Sequence, residues 1–434
     1  MCPAAPARPG IDSCHVQQSE FAMAEANPEK TALQRTVLYA THGAAGATMV
    51  NFGGWEMPLW YPTGAVKEHM AVLTGAGLFD TSHMSAIQAE GARTREFLNY
   101  ALTKEIGNLR IGRAAYGIVL DDSGFAVDDG IVYPLEETRF VLVVNAGMGG
   151  KVIAHMRSLP GGGELAWTDL AGTYAKLDIQ GPASFGVLRQ CVANADAVFA
   201  KFPYFSFQGD FDFARSEVTL SDGTPVVLSR TGYTGELGFE LFVPAAKATT
   251  LWSMLLEAGK ELPVLPCGLA ARDSLRAGAV LPLSHQDIGP WPFINNPWSF
   301  ALPYGEDGTF TKNFHGRDAL DAKTADHTLA YVGYDPRKVE THDAIVLHGG
   351  KDIGTVLTSV ADMGIGRVEN RVAGLNSPDI PRDWRPRGLV CGFIKVREYV
   401  EPGTEVILKD SRREIKVVIH TDIRPGRTAR RALS

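Results

Sequence analysis

Residues 230–236 read Arg-Thr-Gly-Tyr-Thr-Gly-Glu, setting a guanidinium, a phenol and a carboxylate close together among glycines. Gly232, Gly235 and Gly238 permit backbone angles barred to other residues and let a ligand or another chain approach closely. As geometry the segment reads as a hairpin between strands at 226–228 and 239–243. As chemistry, Arg230, Tyr233 and Glu236 are the groups free to engage a partner. Residues 52–58 (Phe-Gly-Gly-Trp-Glu-Met-Pro) place an aromatic ring and an acid after two glycines. Residues 78–84 (Leu-Phe-Asp-Thr-Ser-His-Met) contain His83, which beside apolar neighbours reads as a structural histidine and not a base. In residues 268–276 (Gly-Leu-Ala-Ala-Arg-Asp-Ser-Leu-Arg), Arg272 and Arg276 share one helical face and Asp273 reaches Arg276. That trio reads as a helix-surface ion network of small energetic weight or, with Gly268 near the helix start, as an anion-recognition site.

The four blocks, in this order and at these intervals, resemble the aminomethyltransferase (T-protein) family of the glycine cleavage system and its folate-dependent relatives. The likeness is strong over residues 38–320 and looser beyond. It implies a multi-domain α+β fold, with three domains around a central folate-binding hole and a C-terminal β-barrel. It implies transfer of a one-carbon unit from the aminomethyl-lipoyl arm of the H-protein to tetrahydrofolate, with release of ammonia. Such a site holds N5 of the pterin against the carbon and stabilises developing positive charge with a carboxylate. A second carboxylate accepts the pterin N–H donors, aromatic rings cover the pterin, and arginine takes the glutamate tail. By resemblance, Tyr116 and Tyr204 are the ring contacts and Asp210 or Asp212, on one face of a strand, is the pterin acid. Met57, Met84, Tyr233, Glu236, Arg272 and Arg276 complete the folate-binding set. Arg230 either binds the folate tail or pairs with a carboxylate of the chain itself.

The sequence departs from the family pattern in three places. The family's catalytic acid lies in Thr-Asn-Asp; here the stretch is Thr103-Lys104-Glu105, followed by Gly-Arg-Ala-Ala-Tyr at 112–116. Glu105 keeps the charge one methylene farther out, and a misplacement of ~1 Å at a reacting centre costs about 100-fold. Lys104 beside it favours the charged form by pairing. Residues 277–280 (Ala-Gly-Ala-Val) replace the family's Leu-Glu-Ala-Gly, and residues 290–304 are rich in Trp, Pro and Asn. These departures leave two alternatives open: a tetrahydrofolate-dependent demethylase or methyltransferase acting on a small methylated donor, and a non-catalytic folate-binding protein.

Composition bounds the rest. A chain of 434 residues needs more than one core. A net charge of -7 argues against a general nucleic-acid binder. No apolar run approaches a membrane span of ~20 residues, and the five cysteines are scattered without metal spacing, which fits reduced thiols in the cytoplasm. Residues 1–30 read as a disordered extension without a secretory signal. The basic stretch at 409–431 reads as a solvated terminal strand and tail. No phosphate loop, zinc-protease helix, nucleophile elbow or dinucleotide fingerprint is present.

The elements that must position these residues follow from periodicity. Helices are expected at 31–44, 66–74, 94–102, 150–158, from 183, at 246–259 and at 267–276. Strands are expected at 85–90, 116–120, 130–134, 140–145, 176–179 and 239–243. A run of short strands from 329 to 419 predicts a small barrel or sandwich, interrupted by a Pro-rich inserted loop at 371–387. The expected domains are 31–160 with 225–325, 161–224 as part of the middle domain, and 326–434.

Overall fold

The computed structural model describes residues 32–321, 326–378 and 380–433. The expected N-terminal extension, 1–30, lies outside the described residues. The architecture is mixed α+β: among the described residues there are two large sheets of five and six strands, two small sheets of three and two strands, and a closed barrel.

The first sheet is antiparallel, in the spatial order Ala115–Leu120, Ala126–Pro134, Arg139–Val144, Ser85–Glu90, Ala166–Asp169. Its leading hairpin turns through Asp121-Asp-Ser-Gly124, where Gly124 takes φ +73° and the Asp121 carboxylate accepts from the Ser123 and Phe125 N–H groups. Helices Thr94–Ala101 and Gly149–Ser158 bury Leu98 and Val152 against Ile87, Phe140 and Leu142 of this sheet.

The second sheet runs Phe207–Gln208, Val227–Ser229, Gly238–Pro244, Tyr174–Gln180, Ala76–Asp80, Val264–Pro266, with only the last pair parallel. The expected hairpin across residues 230–236 is present, with Val227 opposite Phe242 and Ser229 opposite Glu240. Strand Tyr174–Gln180 is buried along its whole length. Strand alternation sends Ala175, Leu177 and Ile179 to one face, where they pack with Leu188 and Trp252 of the helices Ser184–Cys191 and Ala248–Ala258. Lys176, Asp178 and Gln180 occupy the opposite face. A buried polar row of this kind must be hydrogen-bonded by whatever covers it, and this row forms the floor of the candidate site.

The C-terminal strands His327–Gly333, Leu389–Val396, Lys351–Asp362, Ile345–His348, Glu405–Lys409 and Glu414–Ile419 form a closed barrel in that order. Tyr331 pairs with Ile419 to seal it, and closure leaves no open edge.

Three expectations are corrected. The helix expected at 31–44 is reduced to Tyr39–Ala44, because Gln34–Arg35 pairs in parallel with Trp55 and Glu56. The inserted loop begins as a strand, since Arg371–Gly374 pairs with Ile365–Val368. The basic C-terminal stretch is not wholly solvated: Arg424 is buried between the carboxylates of Glu236 in the second sheet's hairpin and Asp362 in the barrel.

Candidate functional site

The floor is an ion cluster. Lys176 Nζ donates to Asp178 Oδ1 at 2.6 Å and to Glu240. Thr81 Oγ1 donates to Asp178 Oδ1 at 2.8 Å, and Arg272 Nη1 to Asp178 Oδ2 at 2.9 Å. Thr231 of the glycine-rich block donates to Glu240. Burial opposes charge on Asp178, but the Lys176 ammonium and Arg272 guanidinium outweigh it and hold its carboxyl below the usual range. Arg272 is therefore no surface residue: besides this pair, its guanidinium lies 4.9 Å over the Tyr233 ring.

His83 stands beside this cluster. It is 3% exposed, and Phe52 meets its ring edge-on at 5.7 Å. Its Nδ1 has no hydrogen-bond partner among the described residues. Burial pushes its pKa down to about 4, helped by the Arg272 and Lys176 charges. The 78–84 and 52–58 blocks thus meet in one neutral imidazole with a polar atom left over. A buried polar atom without a partner is uncommon in a folded protein.

Tyr233 connects this floor to a second cluster. Its hydroxyl donates to the Pro282 carbonyl, and its charge environment includes Asp129 and Arg276. Tyr116 in turn feels Tyr233, and its hydroxyl donates to Asp129 Oδ2 at 2.8 Å. Asn145 Nδ2 bridges Asp128 Oδ1 and Asp129 Oδ1, both at 2.7 Å. Ser284 Oγ lies 3.4 Å and His285 Nε2 3.5 Å from Asp128 Oδ1. Burial and the neighbouring Asp128 raise the Asp129 pKa, while the hydrogen bond to Asp128 raises that of His285. Two adjacent acids in an otherwise apolar strand, 126–134, were the sequence signal for this cluster, and sequence reasoning passed over it. Asn145, Ser284 and His285 carried no signal of their own.

Arg276 is fully buried, paired with Asp273 at 2.7 Å and with Asp287, and its Nη2 donates to Thr358 of the barrel at 3.0 Å. The surface reading of the Arg272-Asp273-Arg276 trio is thereby overturned for both arginines. Glu236 is also buried; it accepts from Arg424 Nε at 3.2 Å and from Thr428 Oγ1 at 2.6 Å.

The remaining sequence candidates lie apart from this arrangement. Arg230 is buried, and its guanidinium donates to the Phe202 and Arg431 carbonyls, so of its two readings neither carboxylate pairing nor a ligand is needed to satisfy those nitrogens; its Nε has no partner among the described residues. Tyr204 stacks edge-on with Phe205 at 4.9 Å, with the Arg430 guanidinium 5.5 Å over its ring. Asp210 does not lie on a strand: it holds Arg139 through both oxygens, at 2.9 and 2.5 Å. Asp212 is likewise off the strand, accepting from Ala214 N as the cap of the short helix Phe213–Arg215. The strand expectation fails because Gly209, at φ +97°, ends the pairing of Phe207–Gln208. Met57 is buried with Leu59 and Leu269, and Met84 packs beside the Tyr133 and Phe242 cluster while its carbonyl accepts from Tyr174 at 2.5 Å. Glu105 is exposed and its Oε1 accepts from the Gly107 N–H at 2.6 Å. Lys104 does not pair with it: its Nζ donates to the Phe300 carbonyl at 2.7 Å. Among the described residues no group of His, Cys, Asp and Glu is arranged to hold a metal.

Comparison with known proteins identifies the family and the fold. The GCVT N-terminal domain family matches residues 38–291. An aminomethyltransferase from Streptomyces coelicolor is 38% identical over 345 residues, covering 78% of this chain and 88% of its own. One from Geobacillus thermodenitrificans is 35% identical over 376 residues, covering 85% and 98%. The crystal structure of the glycine cleavage system aminomethyltransferase T from Bartonella henselae superposes with a TM-score of 0.72 at 28% identity, covering 93% of this chain and all of that one. This chain belongs to the aminomethyltransferase family of glycine cleavage T-proteins.

Proposed function

We propose that the chain is a tetrahydrofolate-dependent aminomethyltransferase that takes its one-carbon unit from the aminomethyl-lipoyl arm of an H-protein and releases ammonia. The observation that carries the reading is the convergence of Tyr116, Asp129, Tyr233 and Arg272 from two sheets and the helix Leu269–Gly278. Tetrahydrofolate supplies a nucleophilic nitrogen that accepts the carbon. The residues present fit it: two tyrosine rings, an acceptor carboxylate, a guanidinium, and the unpartnered Nδ1 of the buried His83.

Each of these groups has a definable task. Asp129 is fixed by Tyr116 and Asn145, so it offers negative charge without reorganising as positive charge develops next to it. Burial and the neighbouring Asp128 raise its pKa. Arg272 is oriented by Asp178 and lies over Tyr233, which fixes that ring. Glu105 is the acid at the family position; in its present rotamer it caps the Gly107 N–H, and it acts only after releasing that bond. We therefore assign the principal electrostatic role to Asp129 and a rim role to Glu105.

A second reading, methyl transfer from a small methylated donor, draws on one observation: the divergent 290–304 segment reaches the site, with the Phe300 ring 5.8 Å from Tyr116. The cytoplasm is the compartment proposed, where the buried thiols of Cys191, Cys267 and Cys391 stay reduced. Among the described residues no helix is long and apolar enough to cross a membrane. The test is formation of methylene-tetrahydrofolate and ammonia from aminomethylated H-protein. Failure of the protein to bind any reduced folate sinks the reading. Folate binding with turnover only on small methylated amines replaces it with the second.

A further inference from the structure

Two stretches that depart from the family pattern, Lys104 and residues 290–304, meet in space. Lys104 Nζ donates to the Phe300 carbonyl at 2.7 Å. Lys312 reaches the same loop from the far end of the segment: its Nζ donates to the carbonyls of Asn99, Leu102 (2.8 Å) and Lys104 (2.9 Å). Gly117 makes the fit possible, because a Cβ there would lie 3.1 Å from the Lys104 Cβ. On its other side the segment is anchored by Trp298, which is 1% exposed, donates from Nε1 to the Val280 carbonyl at 3.0 Å and meets Phe393 of the barrel at 5.2 Å.

Between these anchors Phe300 leaves half of its surface open, at 50% exposure, while Trp298, Ala301 and Leu302 are buried. A single exposed aromatic is ordinary. Phe300 differs in where it is held: its carbonyl is pinned, and its ring packs on Tyr116 at 5.8 Å and 46°. The Tyr116 hydroxyl is committed to Asp129. An open apolar ring beside a tyrosine oriented by the site carboxylate is a surface for a flat ligand ring.

We infer that residues 290–312 form a fixed wall of the site, latched by Lys104 and Lys312, and that Phe300 is a specificity-determining residue that seats a planar ring of the bound reduced folate against Tyr116. Lys104 is a positioning residue for Phe300. This inference rests on the folate reading above. The shared chemistry is a flat conjugated ring, and two parts of a folate carry one, the pteridine and the p-aminobenzoyl group.

Calorimetric titration of the full chain tests it with three probes: tetrahydrofolate, a tetrahydropterin lacking the p-aminobenzoyl arm, and p-aminobenzoylglutamate. Phe300→Ala and Phe300→Leu are expected to weaken tetrahydrofolate about tenfold, the effect of losing an aromatic pair of about 1.4 kcal/mol, with melting temperature unchanged because the ring is half exposed. The same loss appears with whichever fragment carries the seated ring. Lys104→Met is expected to reproduce part of the loss and Lys104→Arg to restore binding, a rescue that general destabilisation would not give. Wild-type binding with undiminished affinity in both Phe300 variants overturns the wall while leaving the folate reading intact. No tetrahydrofolate binding by the wild type removes both.

Discussion

Arg424, near the C-terminus, donates from Nε to Glu236 of the glycine-rich block at 3.2 Å, inside a site buried on all sides. The same guanidinium pairs with Asp362 of the barrel and donates to the carbonyls of Thr234 and Leu275 (3.1 Å). His69 completes the junction, with its Nε2 2.9 Å from Asp362 and its Nδ1 2.8 Å from Ser274. One cation therefore joins the second sheet, the helix Leu269–Gly278 and the barrel. The glycine-rich block is held by the C-terminal unit as well as by its own hairpin.

Removing that cation strands two buried carboxylates. Arg424→Met is expected to lower unfolding stability by about 3–5 kcal/mol, read from the midpoint of a denaturant titration. Gly278→Ala should act similarly, since a Cβ there would lie 1.8 Å from Asp362 Oδ2. A change under ~1 kcal/mol for Arg424→Met would show that the junction does not couple the units.

The assignment of the acid can be decided kinetically. Asp129→Asn is expected to cut turnover by about 10²–10⁴ with tetrahydrofolate affinity little changed, because Asn145 and Tyr116 can still hold an amide. Glu105→Gln is expected to cost less, on the order of 10-fold or below, because its carboxylate is exposed and accepts a hydrogen bond from its own loop. The reverse order of effects, measured as kcat with saturating folate, would return the principal role to Glu105.

His83 gives a pH signature. Its folded pKa, about 4, lies below the ordinary value of 6.5, so between these values the unfolded chain binds more protons. Stability therefore rises with pH across that window and is lost as pH falls from 6.5 toward 4. The difference amounts to roughly 3 kcal/mol. His83→Gln should flatten the profile by about that amount below pH 6.5 and leave it unchanged above. Parallel wild-type and variant profiles would mean that folded and unfolded chains bind a proton at His83 equally.

Asp210 tests the pterin acid. It holds Arg139, whose side chain is 4% exposed, in a two-pronged pair. Asp210→Asn is expected to reduce stability by about 1–3 kcal/mol, the effect of weakening a charged hydrogen bond near the surface, and to leave tetrahydrofolate affinity within twofold. A large loss of affinity with stability intact would assign the pterin to Asp210 after all.

Much of the local structure was legible in the chain. Strand 85–90, read from its alternation, coincides with Ser85–Glu90, and the run of short strands from 329 to 419 is the closed barrel. The hairpin around residues 230–236 followed from its glycines, and the four blocks fixed the family. Burial of charge was not legible. Arg276 and Arg424 carry the same local signal as the exposed Arg412 or Arg413, and nothing within one segment reveals that Asp287 or Asp362 will close on them from elsewhere in the chain. Glu105 matched by position, yet its carboxylate is spent on Gly107, while Asp129 was passed over. Periodicity and turn chemistry act over a few residues and are written locally. Which carboxylate meets which cation depends on contacts between residues hundreds of positions apart, and only the packed tertiary structure decides those.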